Sequence, residues 1–339
     1  MLKRKSARCK SESKKGVLFF LILLLTVKLF AYGGMMWGER NLRVLKTTWF
    51  DIIYPERAEE SAAVLYEKAD KVYEEVTAQY GMTPKFRMPV VVVPGVEDFN
   101  AFWTAVPYNH IVLYDTGVSG NSELAVFSET LLSTFRHELT HAVTYNMKSD
   151  FFFAVDKVIG DFFAPGMLTV TSGMAEGATV TSESAAGEGR LNDEFAKHYV
   201  KQAKIEGKFP SYHDVSGSSD VTPGGAPYFF NGAFHQWLQE TYGLEPYAQF
   251  WYSVVNGKNI LITKCFKKAY GISLKKAWKL FKEAYEVPAV EPDPVKAGLA
   301  ANFTDLGDGL YISLSSGSDK VVWVDRYGGQ VFYADKKGE

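Results

Sequence analysis

The chain has 339 residues, of which 47% are hydrophobic and 22% are charged, and this ordinary globular composition excludes a wholly disordered or low-complexity protein. Its 37 lysines and arginines nearly balance its 39 aspartates and glutamates, so the formal net charge is −2. Because no global basic field exists, charge alone indicates neither a nucleic-acid partner nor an acidic membrane. The length predicts about two domains.

The N-terminal segment has the pattern of an export signal. Residues 1–15 carry seven basic side chains and one acid, and an uncharged apolar run follows from Gly16 to Val27. A basic region before an apolar stretch of about 7–15 residues is typical of a secretory signal, whereas a spanning helix needs about 20 residues. Residues 1–31 are therefore predicted to be a signal peptide or, if uncleaved, a signal-anchor that is the chain's only membrane attachment. In both cases we expect the rest of the chain in the periplasm or outside the cell.

A mixed α/β sheet lobe is predicted for residues 45–125. A short strand is expected over 49–55, and apolar residues at helical spacing indicate an amphipathic helix over 57–80. The proline-bounded, β-branched run 89–94 predicts a strand that is buried on both faces. An outer strand of the same sheet is expected at 110–114. This order of elements is typical of an α+β fold.

A mainly helical lobe is predicted for residues 126–287, which completes one α+β domain over 45–287. Hydrophobic periodicity and stop signals predict five helices, at 128–146, 174–185, 229–242, 245–256 and 274–286. Glycines and prolines predict an irregular loop at 210–228. A proline-rich linker is expected at 288–298. The alternating runs of 299–339 predict β-hairpins that are too few to close a β-propeller of about four or more blades.

One motif points to chemistry: His137, Glu138 and His141 form the pattern HExxH within LLSTFRHELTHAVTY. On a helix the two histidines lie about 40° apart around the axis and one turn apart along it, so both imidazoles can bind one Zn²⁺. Glu138 lies beside them, where it can act as a general base on the water of the metal. The motif therefore predicts one zinc ion and a catalytic role for Glu138.

A catalytic zinc site needs a third protein ligand. The metzincin pattern is excluded, because Thr144 and Met147 stand where its glycine and its third histidine would lie. Glu176 in the stretch GMAEGATV is the favoured ligand, since small neighbours would let its helix approach the first helix closely. Three other acids remain open as alternatives, namely Glu183, Asp150 and Asp161.

These motifs resemble those of the peptidase-MA-like gluzincin domains of exported bacterial proteins, over about residues 49–287. The resemblance is carried by FDIIYP, PVVVVPGVEDFNAFW, HELTHAV, MAEGATVTSES and YFFNGAFHQWLQETYG. It implies zinc-dependent hydrolysis of a peptide or protein substrate, Glu176 as the third ligand, and a β-propeller that begins after residue 299. The sequence departs from the family's pattern in two ways that concern the shape of the pocket. The spacing from His141 to Glu176 is longer than in thermolysin-like enzymes, and Thr181 stands where an aromatic residue is common.

Catalysis also needs a donor to the oxyanion of the substrate besides the metal. Related zinc aminopeptidases use a tyrosine downstream of the third ligand, which implies Tyr228, and His235 on the following helix is the second candidate. The leading hypothesis is thus a zinc metallopeptidase outside the cytoplasm. The alternative is a catalytically silent, zinc-stabilised binding or scaffold protein of the cell envelope.

Overall fold

A computed structural model describes residues 41–97, 99–106, 108–118, 129–161, 169–185, 187–217, 225–258, 261–289, 320–324 and 331–335. The chain divides into two compact units, Met1–Val287 and Pro288–Glu339. The predicted signal segment and most of the predicted linker lie outside the described residues. Within the described ranges, no helix combines the length and the hydropathy that crossing a bilayer requires.

The first unit contains a five-stranded sheet with the strand order β1-β2-β3-β5-β4. Its strands are β1 (Arg43–Lys46), β2 (Phe50–Tyr54), β3 (Met88–Pro94), β4 (Ala101–Thr104) and β5 (His110–Asp115). β2, β3 and β5 are parallel, and the two edge strands are antiparallel to their neighbours. Val90 in the centre pairs with Ile52 on one side and with Ile111 on the other.

The described part of the first unit also contains nine α-helices. They are α1 (Glu59–Gln79), α2 (Thr130–Tyr145), α3 (Asp150–Ile159), α4 (Ser172–Ala185), α5 (Glu194–Ile205), α6 (Ala226–Tyr242), α7 (Leu244–Val255), α8 (Ile262–Tyr270) and α9 (Leu274–Ala284). α1 and α2 pack against each other and against the sheet, and α2 contacts both β4 and β5. α4 packs between α2 and α6. The helix α2 therefore joins the sheet lobe to the helical lobe.

One hydrophobic core extends from the sheet into the helices. Phe50 of β2 is fully buried, and the centroid of its ring lies 5.6 Å from that of Tyr73 on α1 and 5.4 Å from that of Phe135 on α2. Leu65 and Ala69 lie on the same face of α1 as Tyr73 and are also fully buried. The spacing of these residues explains why this segment forms an amphipathic helix, and their packing fixes α2 against the sheet.

The predicted α+β class is confirmed, since a mixed sheet lobe is followed by a helical lobe. The three expected strands are present, and so are the helices expected in the two lobes, with ends displaced by no more than three residues. The expected loop at 210–228 ends earlier, because α6 already begins at Ala226. The pattern of apolar residues thus located most of the elements that build the core.

Two expectations about the sheet are wrong. β5 is an interior strand, because β4 pairs with it on the outer side and forms the edge of the sheet. β3 is not fully buried on both faces: Val90 and Val92 are buried, whereas Pro89 and Val91 are half-buried. The strands β1 and β4 and the helices α3, α5 and α8 are additions to the expected set.

In the second unit the described residues form an antiparallel hairpin. Its strands are β6 (Lys320–Val324) and β7 (Val331–Asp335), and Val322 pairs with Tyr333. The hairpin falls within the segment 299–339, for which hairpins are predicted. The remainder of that segment lies outside the described residues, so the β-propeller stays a prediction.

Candidate metal centre

The helix α2 holds the HExxH residues at the boundary between the core and a cavity. Phe135 and Leu139 on its inner face are fully buried, while His137 and Glu138 are each 7% exposed. The ring centroids of His137 and His141 lie 5.1 Å apart, and the ring planes are inclined by 79°. The helical repeat therefore brings both imidazoles to one side, as the spacing in the sequence predicts.

The helix α4 brings Glu176 to the two histidines. Its Oε2 atom lies 3.2 Å from Nε2 of His137 and 3.5 Å from Nε2 of His141. The three potential ligand atoms lie within 4.8 Å of one another, and no other such group of His, Cys, Asp and Glu is found in the described part of the chain. Two imidazole nitrogens and one carboxylate oxygen are the protein ligands of a catalytic zinc site, so these residues fit a zinc ion.

The glycines of α4 face α6 and not α2. A Cβ atom on Gly177 would lie 2.8 Å from atoms of Asn231 and His235. A Cβ atom on Gly173 would lie 2.2 Å from a backbone carbonyl oxygen. The expectation that small neighbours of Glu176 bring its helix close to α2 is therefore wrong for the glycines, since they let α4 approach α6 and the segment before it.

Glu183, an alternative ligand, binds the other ring nitrogen of His137. Its Oε2 atom lies 2.9 Å from Nδ1, and its side chain is fully buried. When Nε2 presents its lone pair to a metal, Nδ1 carries the proton and donates to Glu183, which fixes the orientation of the ring. Arg190 in turn donates to Glu183 from Nε at 2.8 Å and from Nη2 at 3.1 Å. Glu183 thus has the position of an orienting carboxylate and not of a ligand.

The charges of the site shift the pKa values of its groups. Burial would lower the pKa of His137, but the hydrogen bonds with Glu176 and Glu183 and the nearby charge of Glu138 raise it to about 9. Burial would raise the pKa of Glu176, yet the two histidines hold it well below its usual value. Burial likewise opposes ionisation of Glu183, while Arg190 and His137 lower its pKa to about 2. Both acids are therefore ionised at neutral pH.

A cavity of about 530 Å³ lies over these groups, and the edge strand β4 forms part of its wall. Glu138 faces this cavity, and its Oε2 atom accepts a hydrogen bond of 2.8 Å from the backbone N–H of Trp103 on β4. The indole of Trp103 stacks on the ring of Tyr145 with centroids 5.2 Å apart and planes inclined by 8°. The edge strand is thereby fixed against α2, and it orients the carboxylate of Glu138.

The structure brings Tyr228 but not His235 to the cavity. Tyr228 at the start of α6 lines the cavity, and the Cζ atom of Arg190 lies 4.6 Å from the centroid of its ring. His235 is fully buried, with Nδ1 2.6 Å from the hydroxyl of Tyr247 and Nε2 2.9 Å from the sulfur of Met174. Burial lowers the pKa of His235 to about 3. His235 is a packing residue between helices, which corrects its expected role as an oxyanion donor.

The remaining alternatives also lie away from the ligand cluster. Asp161 accepts a hydrogen bond of 3.2 Å from the backbone N–H of Asn109, and Asp150 is exposed in the first turn of α3. Thr181, which stands where the resemblance implies an aromatic residue, is buried with its hydroxyl oxygen 2.7 Å from the carbonyl oxygen of Gly177 and 3.0 Å from that of Gly232. Thr181 therefore contributes to the packing of α4 on α6, and it does not line the cavity.

No sequence pattern singles out two residues of this site, Arg190 and Trp103. Arg190 follows a turn that contains Gly187 and Gly189, both with positive φ, and a charged residue after such a glycine pair is a weak signal. Trp103 acts through its backbone N–H, which every residue except proline possesses. The bond from Trp103 to Glu138 and the contact of Arg190 with Tyr228 join residues that are far apart in the chain, so they follow from the fold, whereas Arg190 and Glu183 are seven residues apart.

No protein-family model matches the chain. Over 254 residues, 74% of the chain, it is 32% identical to an uncharacterized protein of Treponema pallidum (strain Nichols), and it spans 22% of the length of that protein. It is also similar to the solved structure of an aminopeptidase N family protein from Idiomarina loihiensis, with 12% identity, a TM-score of 0.41 and coverage of 78% of this chain and 49% of that one.

A second solved structure gives a similar result. An M1 zinc metallopeptidase from Deinococcus radiodurans matches with 16% identity and a TM-score of 0.42, over 75% of this chain and 55% of that one. Likenesses this distant carry no functional argument. The function is therefore inferred from the geometry of the site.

Proposed function

We propose that the chain is a zinc metallopeptidase that hydrolyses peptide bonds. One observation carries the proposal: ligand atoms of His137, His141 and Glu176 meet within 4.8 Å in the wall of a cavity that Glu138 also lines. The first three residues would hold the ion. When bound, Zn²⁺ acts as a Lewis acid toward the scissile carbonyl group and lowers the pKa of water in the site.

Glu138 is the proposed group that accepts and returns a proton. Its side chain is nearly buried, lines the cavity and is not a member of the ligand cluster. Because the N–H of Trp103 holds one carboxylate oxygen, the group keeps a fixed orientation beside the ligands. A general base in this position takes a proton from the attacking water and delivers it to the leaving amine.

Tyr228 is the proposed donor to the negative charge that develops on the substrate carbonyl oxygen. It lines the same cavity as Glu138, and its ring packs against the guanidinium of Arg190. That contact limits the motion of the ring, so the hydroxyl is held in place before substrate binds. A donor that is oriented in advance needs no reorganisation during the reaction, which is what makes such donors effective.

The proposed substrate is a peptide or protein segment. The cavity of about 530 Å³ has the size of a typical ligand site, and Phe99 and Phe102 add apolar surface beside the ionisable groups. We also propose that the enzyme acts outside the cytoplasm, which the basic and apolar pattern of residues 1–31 supports. Cell fractionation with N-terminal sequencing tests the location and shows whether the segment is cleaved.

The substitution Glu138→Gln tests the peptidase. Glutamine keeps the size of the side chain and can still accept the hydrogen bond from Trp103, but it cannot accept a proton at neutral pH. The variant should bind zinc as the wild type does, while peptide hydrolysis falls about 10²–10⁴-fold, the usual effect of losing a general base. Cleavage of a mixed-peptide library by zinc-loaded protein, followed by mass spectrometry, gives the rates.

The matched control is Glu206→Gln, because Glu206 is a carboxylate at the end of α5 that does not line the cavity. This variant should cleave the library as the wild type does. Equal cleavage by wild type and Glu138→Gln would show that Glu138 is not the base. Zinc binding without cleavage by the wild type would instead favour the zinc-stabilised scaffold.

A further inference from the structure

Arg190 is a buried cation in the wall of the candidate metal centre. Only 6% of its surface is exposed. Burying a guanidinium group costs free energy unless its charge is paired and its N–H groups find acceptors. The contacts of Arg190 run to two groups of the site, Glu183 and Tyr228, and its Nη2 atom also lies 3.2 Å from Nδ1 of His137.

Arg190 holds Glu183 through three donors. Its backbone N–H donates to Oε1 at 3.2 Å, its Nε donates to the same oxygen at 2.8 Å, and its Nη2 donates to Oε2 at 3.1 Å. Oε2 also accepts from Nδ1 of His137 at 2.9 Å. Because the planar guanidinium fork matches a carboxylate in a defined orientation, the group that orients His137 is itself oriented by Arg190.

The same guanidinium group lies over the ring of Tyr228, with Cζ 4.6 Å from the centroid. The face of the ring attracts a cation electrostatically, and the attraction is stronger when both groups are shielded from water. Glu183 lies near the end of α4, and Tyr228 lies near the start of α6. Arg190 therefore bridges the two helices and contacts both an orienting carboxylate and the proposed oxyanion donor.

A tight turn after α4 delivers Arg190 to this position. Gly189 has a φ of 102°, which residues with a Cβ atom rarely adopt, and a Cβ atom there would lie 2.6–2.8 Å from atoms of Ser184. The hydroxyl of Ser184 accepts a hydrogen bond of 3.1 Å from the backbone N–H of Leu191. The turn thus folds the chain back onto the last turn of α4 and aims the backbone N–H of Arg190 at Glu183.

We propose that Arg190 is a positioning residue that couples the orientation of the metal ligand His137 to the placement of Tyr228. It holds Glu183 so that Nε2 of His137 faces the metal, and it holds the ring of Tyr228 at the wall of the cavity. The inference rests on the proposed function. Lysine keeps the positive charge but lacks both the fork and the flat face, so Arg190→Lys separates positioning from charge.

The first test measures metal binding in the full chain for Arg190→Lys, Glu183→Gln and the double variant. Chelator competition gives the affinity for Zn²⁺, and the visible spectrum of Co²⁺-loaded protein reports ligand geometry. Losing a partner of a metal ligand typically lowers metal affinity about 10–100-fold. We expect a loss of about tenfold in Arg190→Lys with a changed Co²⁺ spectrum, and about 10–100-fold in Glu183→Gln. The double variant should lose no more than Glu183→Gln, because Nδ1 of His137 carries a proton, so the nearby Nη2 of Arg190 cannot donate to it and Arg190 acts on the ring through Glu183.

The second test measures the contact with Tyr228. Arg190→Lys should lower kcat more than it raises KM, because the affected groups act on the transition state. The same substitution should lower kcat by a smaller factor in a Tyr228→Phe background, since the hydroxyl that Arg190 positions is then absent. Equal factors in both backgrounds would overturn the coupling to Tyr228.

Arg87→Lys is the matched control, because Arg87 also donates to a carboxylate, that of Asp51, and to a backbone carbonyl oxygen but does not line the cavity. A merely structural role would lower the thermal stability of both variants and leave the Zn²⁺ affinity and Co²⁺ spectrum of Arg190→Lys unchanged. That result overturns the inference, as do additive losses in the double variant.

The metal measurements need no substrate, so they separate this inference from the proposed function. Wild type that binds Zn²⁺ but hydrolyses no peptide would contradict the peptidase, while weaker binding and an altered spectrum in Arg190→Lys would still support positioning of His137. A wild-type chain that binds neither Zn²⁺ nor Co²⁺ would overturn both.

Discussion

Two acids of α4 contact the imidazole of His137 from opposite sides. Glu176 lies 3.2 Å from Nε2 and is also within 3.5 Å of His141, whereas Glu183 lies 2.9 Å from Nδ1 and is held by Arg190. One ring can bind a metal through only one of these nitrogens while the other donates a proton. The side of the ring on which His141 lies therefore decides which acid is the ligand.

At the residue scale, Glu176→Ala should remove most of the zinc that the wild type retains. It deletes one of three protein ligands, and the two remaining imidazoles form an incomplete set. The matched substitution Glu183→Ala leaves the ligand set intact, so it should retain more zinc than Glu176→Ala, with orientation of His137 weakened. Metal content after gel filtration distinguishes the two. The reverse order of zinc retention would identify Glu183 as the ligand.

Residues of the site that are close in sequence could be predicted, and those joined by the fold could not. The two histidines and Glu138 follow from the repeat of one helix, whereas Glu176 lies on a second helix and the expectation for it from small neighbours is wrong for the glycines, which pack against α6. The bond from Trp103 to Glu138 depends on which strand ends up at the edge of the sheet. His235 is a histidine downstream of the predicted ligand, which made it a candidate, but its side chain is buried in the core and contacts Tyr247 and Met174.

The position of the helix that carries Glu176 depends on the contact between α4 and α6, and that contact depends on a glycine. Glycine in a helix interior costs about 1 kcal/mol relative to alanine, so a glycine there needs a reason. At Gly177 the reason is steric, because a Cβ atom would lie 2.8 Å from the backbone oxygen of Asn231 and from the ring of His235. The helix that carries Glu176 can therefore lie this close to α6 only with glycine at that position.

At the element scale, Gly177→Ala should destabilise the protein by about 1–3 kcal/mol, the usual cost of overpacking, despite the better helix propensity of alanine. Since Glu176 is the preceding residue, a shift of α4 should also weaken zinc binding. Chemical denaturation and chelator competition measure the two effects. The control is Gly117→Ala, where a Cβ atom would meet nothing within 4 Å. Comparable stability losses in both variants would show that the contact at Gly177 is not the cause.

Elements with a long apolar repeat could be predicted, whereas short or atypical ones could not. α1 repeats its buried positions over 21 residues, whereas α3 has only ten residues, three of them charged, and this length is too short for its apolar spacing to identify a helix. The four-residue strands β1 and β4 have mostly exposed or half-buried residues. Their strand pairing comes from neighbours in the sheet, which a local pattern does not contain. The misplacement of β5 as an outer strand follows from the missing β4.

At the scale of the whole molecule, the candidate ligands come from two helices that are already fixed by one core. α2 packs on the sheet through Phe135, and α4 packs on α6, so neither helix needs a metal to hold it. The ligand atoms lie within 4.8 Å of one another on these two helices. A site of this kind differs from a structural zinc site, where binding supplies the folding free energy itself.

We therefore expect the metal-free protein to remain folded and zinc to add stability by mass action. Zinc at about 100 times its Kd should stabilise the native state by about 2.7 kcal/mol, which raises Tm by several degrees in a protein of this size. Circular dichroism melts with zinc and with excess chelator measure the shift. The Glu176→Ala variant should show only a small rise of Tm with zinc, because it lacks one of the three protein ligands. Loss of helical signal in the wild type on chelation alone would instead favour the zinc-stabilised scaffold, since the fold would then depend on the ion.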